Sequence, residues 1–155
     1  MKNKDIITLV NRGVLSITAH DIPAAHAYKV LKFKKAVKAA MLSFQDAERA
    51  IFSDCGVADT EGFNKRLNEL RGRLQNEEEK TELAGMEKTI AEIQGLQKEL
   101  KNEDVVLDVK TMPYDVWHEL QNENKAVPFG ELTRDVLSGE VEELLEGVLW
   151  ETPNE

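Results

Sequence analysis

The chain has 155 residues and a net charge of −9, from 29 Asp and Glu against 20 Lys and Arg, with 32% charged, 41% hydrophobic and 6% aromatic residues. That balance describes one folded domain with a modest aromatic core and excludes a disordered polyelectrolyte. No apolar run approaches the roughly 18 to 20 residues a membrane-spanning helix needs, and the single cysteine, Cys55, excludes an internal disulfide and any cysteine-based zinc site.

The charge is unevenly spread. Residues 1–40 hold eight Lys/Arg and two Asp/Glu, a net +6, whereas residues 41–155 net −15. One end is basic and the rest acidic. The opening MKNKDIITLVNRGVL sets Asp5 and Arg12 around a very short apolar stretch, so no secretory leader is expected and synthesis in a cytoplasm is. Within residues 5–19 the run Ile6 to Val10, broken by Asn11 and Gly13, fits a short helix or a small strand pair equally well.

The strongest signal follows. Asp21 is placed as an N-cap and Pro23 in a first turn, and a helix can then run uninterrupted to Gly56, about 50 Å at 1.5 Å per residue. Val30, Val37, Phe44 and Ile51 recur every seven residues, with Phe33, Ala40 and Ala47 between them, which is a coiled-coil-like seam. Lys32, Lys35 and Lys38 fall opposite the seam, and Lys29 and Lys34 flank it. Tyr28 and Leu31 lie on the lysine side, where a purely solvated face has less use for them.

A second helix is expected from Asp59 or Thr60, with the stripe Phe63, Leu67, Leu70 and Leu74 returning antiparallel to the first. Asn76 and Glu79 read as a capping box, so either a third helix starts there or the second continues with its apolar face rotated onto Leu83, Met86, Ile90, Ile93 and Leu100. Glycines at 85 and 95 weaken that rod. At Val105 to Met112 the period changes to two: Val105, Leu107, Val109 and Thr111 alternate with polar positions, predicting a strand ended by Pro113 that must pair with the N-terminal segment or another chain. YDVWHEL then reads as a short helix packing Val116, Trp117 and Leu120, and residues 121–138 as a linker containing Pro128 and Gly130.

Residues 139–155 read as an amphipathic helical arm. Val141, Leu144, Leu145, Val148 and Leu149 follow helical spacing with Trp150 beside them, and Glu140, Glu142, Glu143 and Glu146 fill the other face. Such a helix must dock, within its own chain or on a neighbour. The predicted fold is thus mainly α: an N-terminal segment (1–20), a long antiparallel helical hairpin (21–120) with a small β element at 105–112, a linker (121–138) and a C-terminal amphipathic helix.

Chemistry-bearing motifs are absent: there is no Gly-rich phosphate loop, H-E-x-x-H, paired-cysteine motif or G-x-S-x-G. His20 and His26 are six apart, which suits no two-histidine helical metal site, and His118 beside Trp117 reads as the polar edge of a small core. Cys55, at a helix C-terminus where the dipole disfavours thiolate, reads as packing. Glu77 to Glu79 read as a solvated face. No catalytic residue, cofactor or metal is expected, and the chain is expected not to be an enzyme. The lysine helix lacks arginine and aromatic interleaving, and the acidic remainder repels polyanions, which argues against nucleic acid as the main partner. The expected contacts are with protein, through Tyr28, Leu31, Lys32, Lys35 and Lys38; through Val105, Leu107 and Val109; and through Val141, Leu144, Leu145, Val148, Leu149 and Trp150. The C-terminal glutamates are the natural complement of the lysines, in the same chain or a neighbouring one.

DIPAAHAYKVLKFKKAVKAAMLSFQDAERAIF, followed by a return helix and EDVVLDVKTMPYDVW, resembles a group of small tailed-bacteriophage proteins of unknown function. The features carrying the resemblance are Ala27, Tyr28 and Lys29; Phe44, Glu48 and Arg49; and Asp104 to Val109, within residues 14–56 and 97–118. The glycine-containing helix and the acidic C-terminal helix depart from that group's short plan. Architecture, charge asymmetry and this resemblance together lead to the expectation of a non-enzymatic structural or assembly protein of a virion, at the neck, portal or tail, touching other virion proteins or copies of itself as an oligomer. Two alternatives are an acidic phage protein that binds and modulates a host factor, and a weak nucleic-acid binder acting through Lys29, Lys32, Lys35 and Lys38.

Overall fold

A computed structural model describes residues 1–153, and the protein is mainly helical with one small antiparallel sheet. The chain forms two compact units, one made of residues 1–43 together with residues 104 onward, the other of residues 44–103. This division differs from the expected one. The N-terminal segment and the C-terminal arm are integral to the first unit, because both supply its core.

In the first unit, helix α1 (Asn3–Asn11) resolves the ambiguity of the opening segment in favour of a helix. Asp5 accepts the Lys2 amide at 2.8 Å, a favourable place for a carboxylate, and Ile6 and Leu9 share one buried face. A 3-10 turn, Val14–Ser16, leads towards α2 (Ala24–Asp54), a single helix of 31 residues. Its first turn differs from expectation. The Pro23 carbonyl accepts the Ala27 amide at 2.9 Å, so Pro23 precedes the helix and Asp21 lies outside it, its amide engaged by Glu123.

Val30, Phe33 and Val37 of the seam are buried, as is Phe44 further on, so the seven-residue period identified the covered side. Around Val30, Phe33 and Val37 the cover is not a return helix. It comes from Ile6, Leu9, Met112, Trp117, Leu120, Val141, Leu145 and Leu149, residues drawn from both ends of the sequence. Helix α5 (Tyr114–Glu123) supplies Trp117, which stacks on Trp150 with ring centroids 5.9 Å apart and planes 16° apart.

Three expectations for this unit are corrected. Residues 105–112 alternate in burial as read, with Val105, Leu107 and Val109 half-buried against the core and Val106 exposed, but they form no strand. Isolated bridges tie the ends, Lys2 to Asp104 and Met112 to Trp150, while the Val109 amide turns back to the Leu107 carbonyl at 3.0 Å. One covered face is enough to produce the alternation; no ladder is needed. The sheet lies instead in the expected linker, where β1 (Val127–Phe129) pairs with β2 (Leu132–Arg134), Val127 opposite Arg134. Gly130 takes φ +62 at the first position of the two-residue turn, as a tight hairpin requires, and Pro128 is tolerated because a two-stranded sheet has only edges.

The third correction concerns the C-terminal arm. Helix α6 spans only Glu140–Leu145. Glu146 is extended and Gly147 takes φ +75, so the chain leaves the helix, yet Leu149 and Trp150 return to the same side. Val141, Leu145, Leu149 and Trp150 are buried in their own chain's core, so the contacts expected of them with other subunits are contacts within the unit. Burying these four contributes roughly 6–12 kcal/mol before ordering costs, an upper bound. The end of the predicted arm, Asn154 and Glu155, lies outside the described residues.

The second unit holds the last turns of α2 with α3 (Thr60–Arg71) and α4 (Glu77–Lys101). Asp59 caps α3 by accepting the Gly62 amide at 3.1 Å. Asn76 and Glu79 form the expected capping box, with the Glu79 amide donating to Asn76 at 2.8 Å, so a separate third helix begins there. Gln97 of α4 donates to Glu48 of α2 at 3.4 Å, and Phe52 shares a cavity with Ile90 and Ile93, so α4 runs antiparallel to the end of α2. Leu74, read as part of the α3 stripe, is 99% exposed because the helix stops at Arg71.

Candidate functional site

The start of α2 is fixed by a clamp at the end of α5. Thr18 donates its hydroxyl, and His20 and Asp21 their amides, to the Glu123 carboxylate, the last two at 2.9 and 2.6 Å. Burial pushes the Glu123 carboxyl up, but the hydrogen bonds from Thr18, Asp21 and His20 outweigh it and hold the group below its ordinary value. Asn124, buried, accepts the Thr18 amide at 2.9 Å and donates to the Thr18 carbonyl at 2.8 Å. The chain entering α2 is thus held from both sides before the helix begins.

Two lysines tie the helix to its surroundings. Lys29 donates to the Thr111 carbonyl at 2.9 Å and Lys34 to the Ile17 carbonyl at 2.7 Å. These flanking lysines are therefore structural. Lys32, Lys35 and Lys38 are exposed, with the Lys32 ammonium 5.3 Å from the centre of the Tyr28 ring. Among the described residues none of these three has a carboxylate within ion-pairing distance, so the C-terminal glutamates do not neutralise them inside the chain.

The same face is partly apolar. Tyr28 is 58% exposed, Leu31 47% and Leu42 51%. With Lys35 and Lys38 they follow i, i+3, i+7, i+10, i+14, one continuous stripe about 21 Å long. Leu42 was not among the residues read as an interface, although its spacing from Leu31 and Lys35 carried the signal. Near the beginning of the stripe, Tyr28, Lys29, Lys32, Asp108 and Lys110 line an open cavity of about 300 Å³.

The other predicted contact residues separate into two groups. Leu144 and Val148 are half-buried beside the exposed Glu140, Glu143 and Glu146, and Leu144 packs against the core as well as retaining some outward surface. Val105, Leu107, Val109, Val141, Leu145, Leu149 and Trp150 are committed to the unit's own packing. Of the histidines, His20 and His118 are exposed, His118 lying parallel to Tyr114 with ring centroids 6.3 Å apart, and His26 is half-buried. Cys55 is half-buried just beyond α2. Among the described residues, no group of three or more His, Cys, Asp or Glu is placed to hold a metal ion, and no helix is long and apolar enough to cross a membrane.

In the second unit Arg66 grips Glu82 with two hydrogen bonds, at 2.7 and 2.8 Å, joining α3 to α4. The Arg66 side-chain bonds hold the Glu82 carboxyl below its ordinary range. Comparison with known proteins returns no matching family, no matching curated protein and no matching solved structure.

Proposed function

We propose that this protein is a non-enzymatic assembly subunit, a component of a tailed-bacteriophage particle that works through protein contacts made by the outer face of α2. The observation that carries this reading is the stripe of Tyr28, Leu31 and Leu42 interleaved with Lys32, Lys35 and Lys38, lysines that no carboxylate of the described chain neutralises. A face combining aromatic, aliphatic and cationic groups on a rigid helix suits an interface in which apolar contact supplies affinity and charge sets the register. The bacteriophage setting comes from the resemblance of residues 14–56 and 97–118 to small phage proteins. Location in the virion and a homo-oligomeric or larger assembly follow from the same reading.

The test is quantitative mass spectrometry of particles purified from the bacteriophage that encodes the chain. A fixed copy number per particle is expected, falling sharply when Lys32, Lys35 and Lys38 are changed to Glu. Absence of the wild-type chain from purified particles would refute the assignment.

A further inference from the structure

The outer face of α2 and the acidic surface of α6 belong to the same unit and carry opposite charge, and among the described residues no ion pair joins them. Residues 104–155 contain thirteen Asp/Glu against three Lys/Arg, and Glu140, Glu143 and Glu146 are exposed alongside the half-buried Leu144 and Val148. Glu140 and Glu143 stand at i, i+3, so α6 presents acid on one side, beside the part of Leu144 that the core leaves uncovered. Both elements are pinned to the same core, by Val30, Phe33 and Val37 on α2 and by Val141 and Leu145 on α6. Neither can swing to reach the other without opening that core.

We propose that copies of this chain join head to tail, the outer face of α2 in one copy seated on the α6 surface of the next. The proposal rests on reading the α2 face as a protein-contact surface and names its partner. Symmetric pairing of two α2 faces would set lysines against lysines, which costs free energy, whereas the α6 surface supplies the opposite charge on every copy. Such a contact is heterologous: it leaves one free α2 face and one free α6 face at the ends, and adds subunits until a ring closes or a filament forms. The cavity beside Tyr28 is lined by Lys32 and Lys110 as well as by Asp108, so these two lysines outnumber its one acid where a neighbour's carboxylate would lodge.

The test uses the full chain and two variants, Lys32→Gln/Lys35→Gln/Lys38→Gln and Glu140→Gln/Glu143→Gln/Glu146→Gln, followed by light scattering after size exclusion. Wild type is expected to form assemblies larger than a dimer at ~0.1 M salt and to dissociate as the salt is raised. Each variant alone is expected to associate about tenfold or more weakly. Their equimolar mixture should form a heterodimer that grows no further, because only one complementary pair of faces survives. Alanine at the same exposed positions provides an independent pair of variants. A wild-type monomer at low salt, variants that assemble like wild type, or a mixture that yields no heterodimer each overturns the proposal. Any of these results combined with a fixed copy number in particles would sink the head-to-tail contact and leave the assembly role standing.

Discussion

The two units are built on different physics. The first buries a contiguous core of Ile6, Leu9, Phe33, Met112, Trp117, Leu120, Leu145 and Leu149, gathered from segments over a hundred positions apart. The second buries few side chains, Leu67 and Leu70 on α3 and Ile93 and Leu100 on α4 among them, and adds helix caps and exposed ion pairs such as Arg66 with Glu82 and Arg71 with Glu87. Apolar burial scales with area and resists salt, whereas exposed pairs contribute little and are screened. The comparison predicts a unit that melts cooperatively and late beside one that opens readily.

The largest effect is expected from deleting residues 139–155, which removes Val141, Leu145, Leu149 and Trp150 from the first core. Circular dichroism and amide exchange should show that unit unfolded; a folded monomer would contradict the shared core. Next in size, Trp117→Ala should destabilise the first unit by about 3–5 kcal/mol in denaturant titration, while amide protection of α4 changes little. Equal loss of protection in both units would erase the contrast between them.

Glu123→Gln should act more gently and with a distinctive pH signature. Because the folded carboxyl lies below its ordinary value of 4.5, its contribution is present above that pH and fades as pH falls through the lower folded value. The variant should therefore lose stability at neutral pH and approach wild type in acid, read from melting temperatures across the pH range. A constant difference at every pH would remove the carboxylate's role in the clamp. The smallest effect belongs to Arg66→Ala: faster exchange in α3 and the first turns of α4 at low salt, disappearing at high salt. Persistence in high salt would mean that the arginine stem, not its charge, holds these helices.

What the sequence disclosed was periodicity on long elements. Val30, Phe33 and Val37 announced the buried side of α2, and Asn76 with Glu79 announced the start of α4, because both signals are local and repeat at helical spacing. The α2 face was legible in the same way, from Tyr28 and Leu31 standing among lysines. What covers the first seam was not legible. Helical spacing from Val141 to Leu149 survives a break at Gly147, since a turn can return a side chain to the face a helix would have given it. Alternation in residues 105–112 reported a covered side, which a strand and an extended tether share. The Glu123 and Asn124 clamp joins groups about a hundred positions apart, and no spacing rule spans that distance.

Trp150, against Trp117, closes the first core. During synthesis the second unit's whole sequence, to Glu103, is available while that core still lacks Met112, Trp117, Leu145 and Leu149. The earlier part, Ile6, Leu9 and Phe33, must wait unburied until the far end emerges from the ribosome, because domains fold only once their residues are made. A premature stop between 104 and 139 would therefore release a chain with a complete second unit and a sticky, unfinished first one.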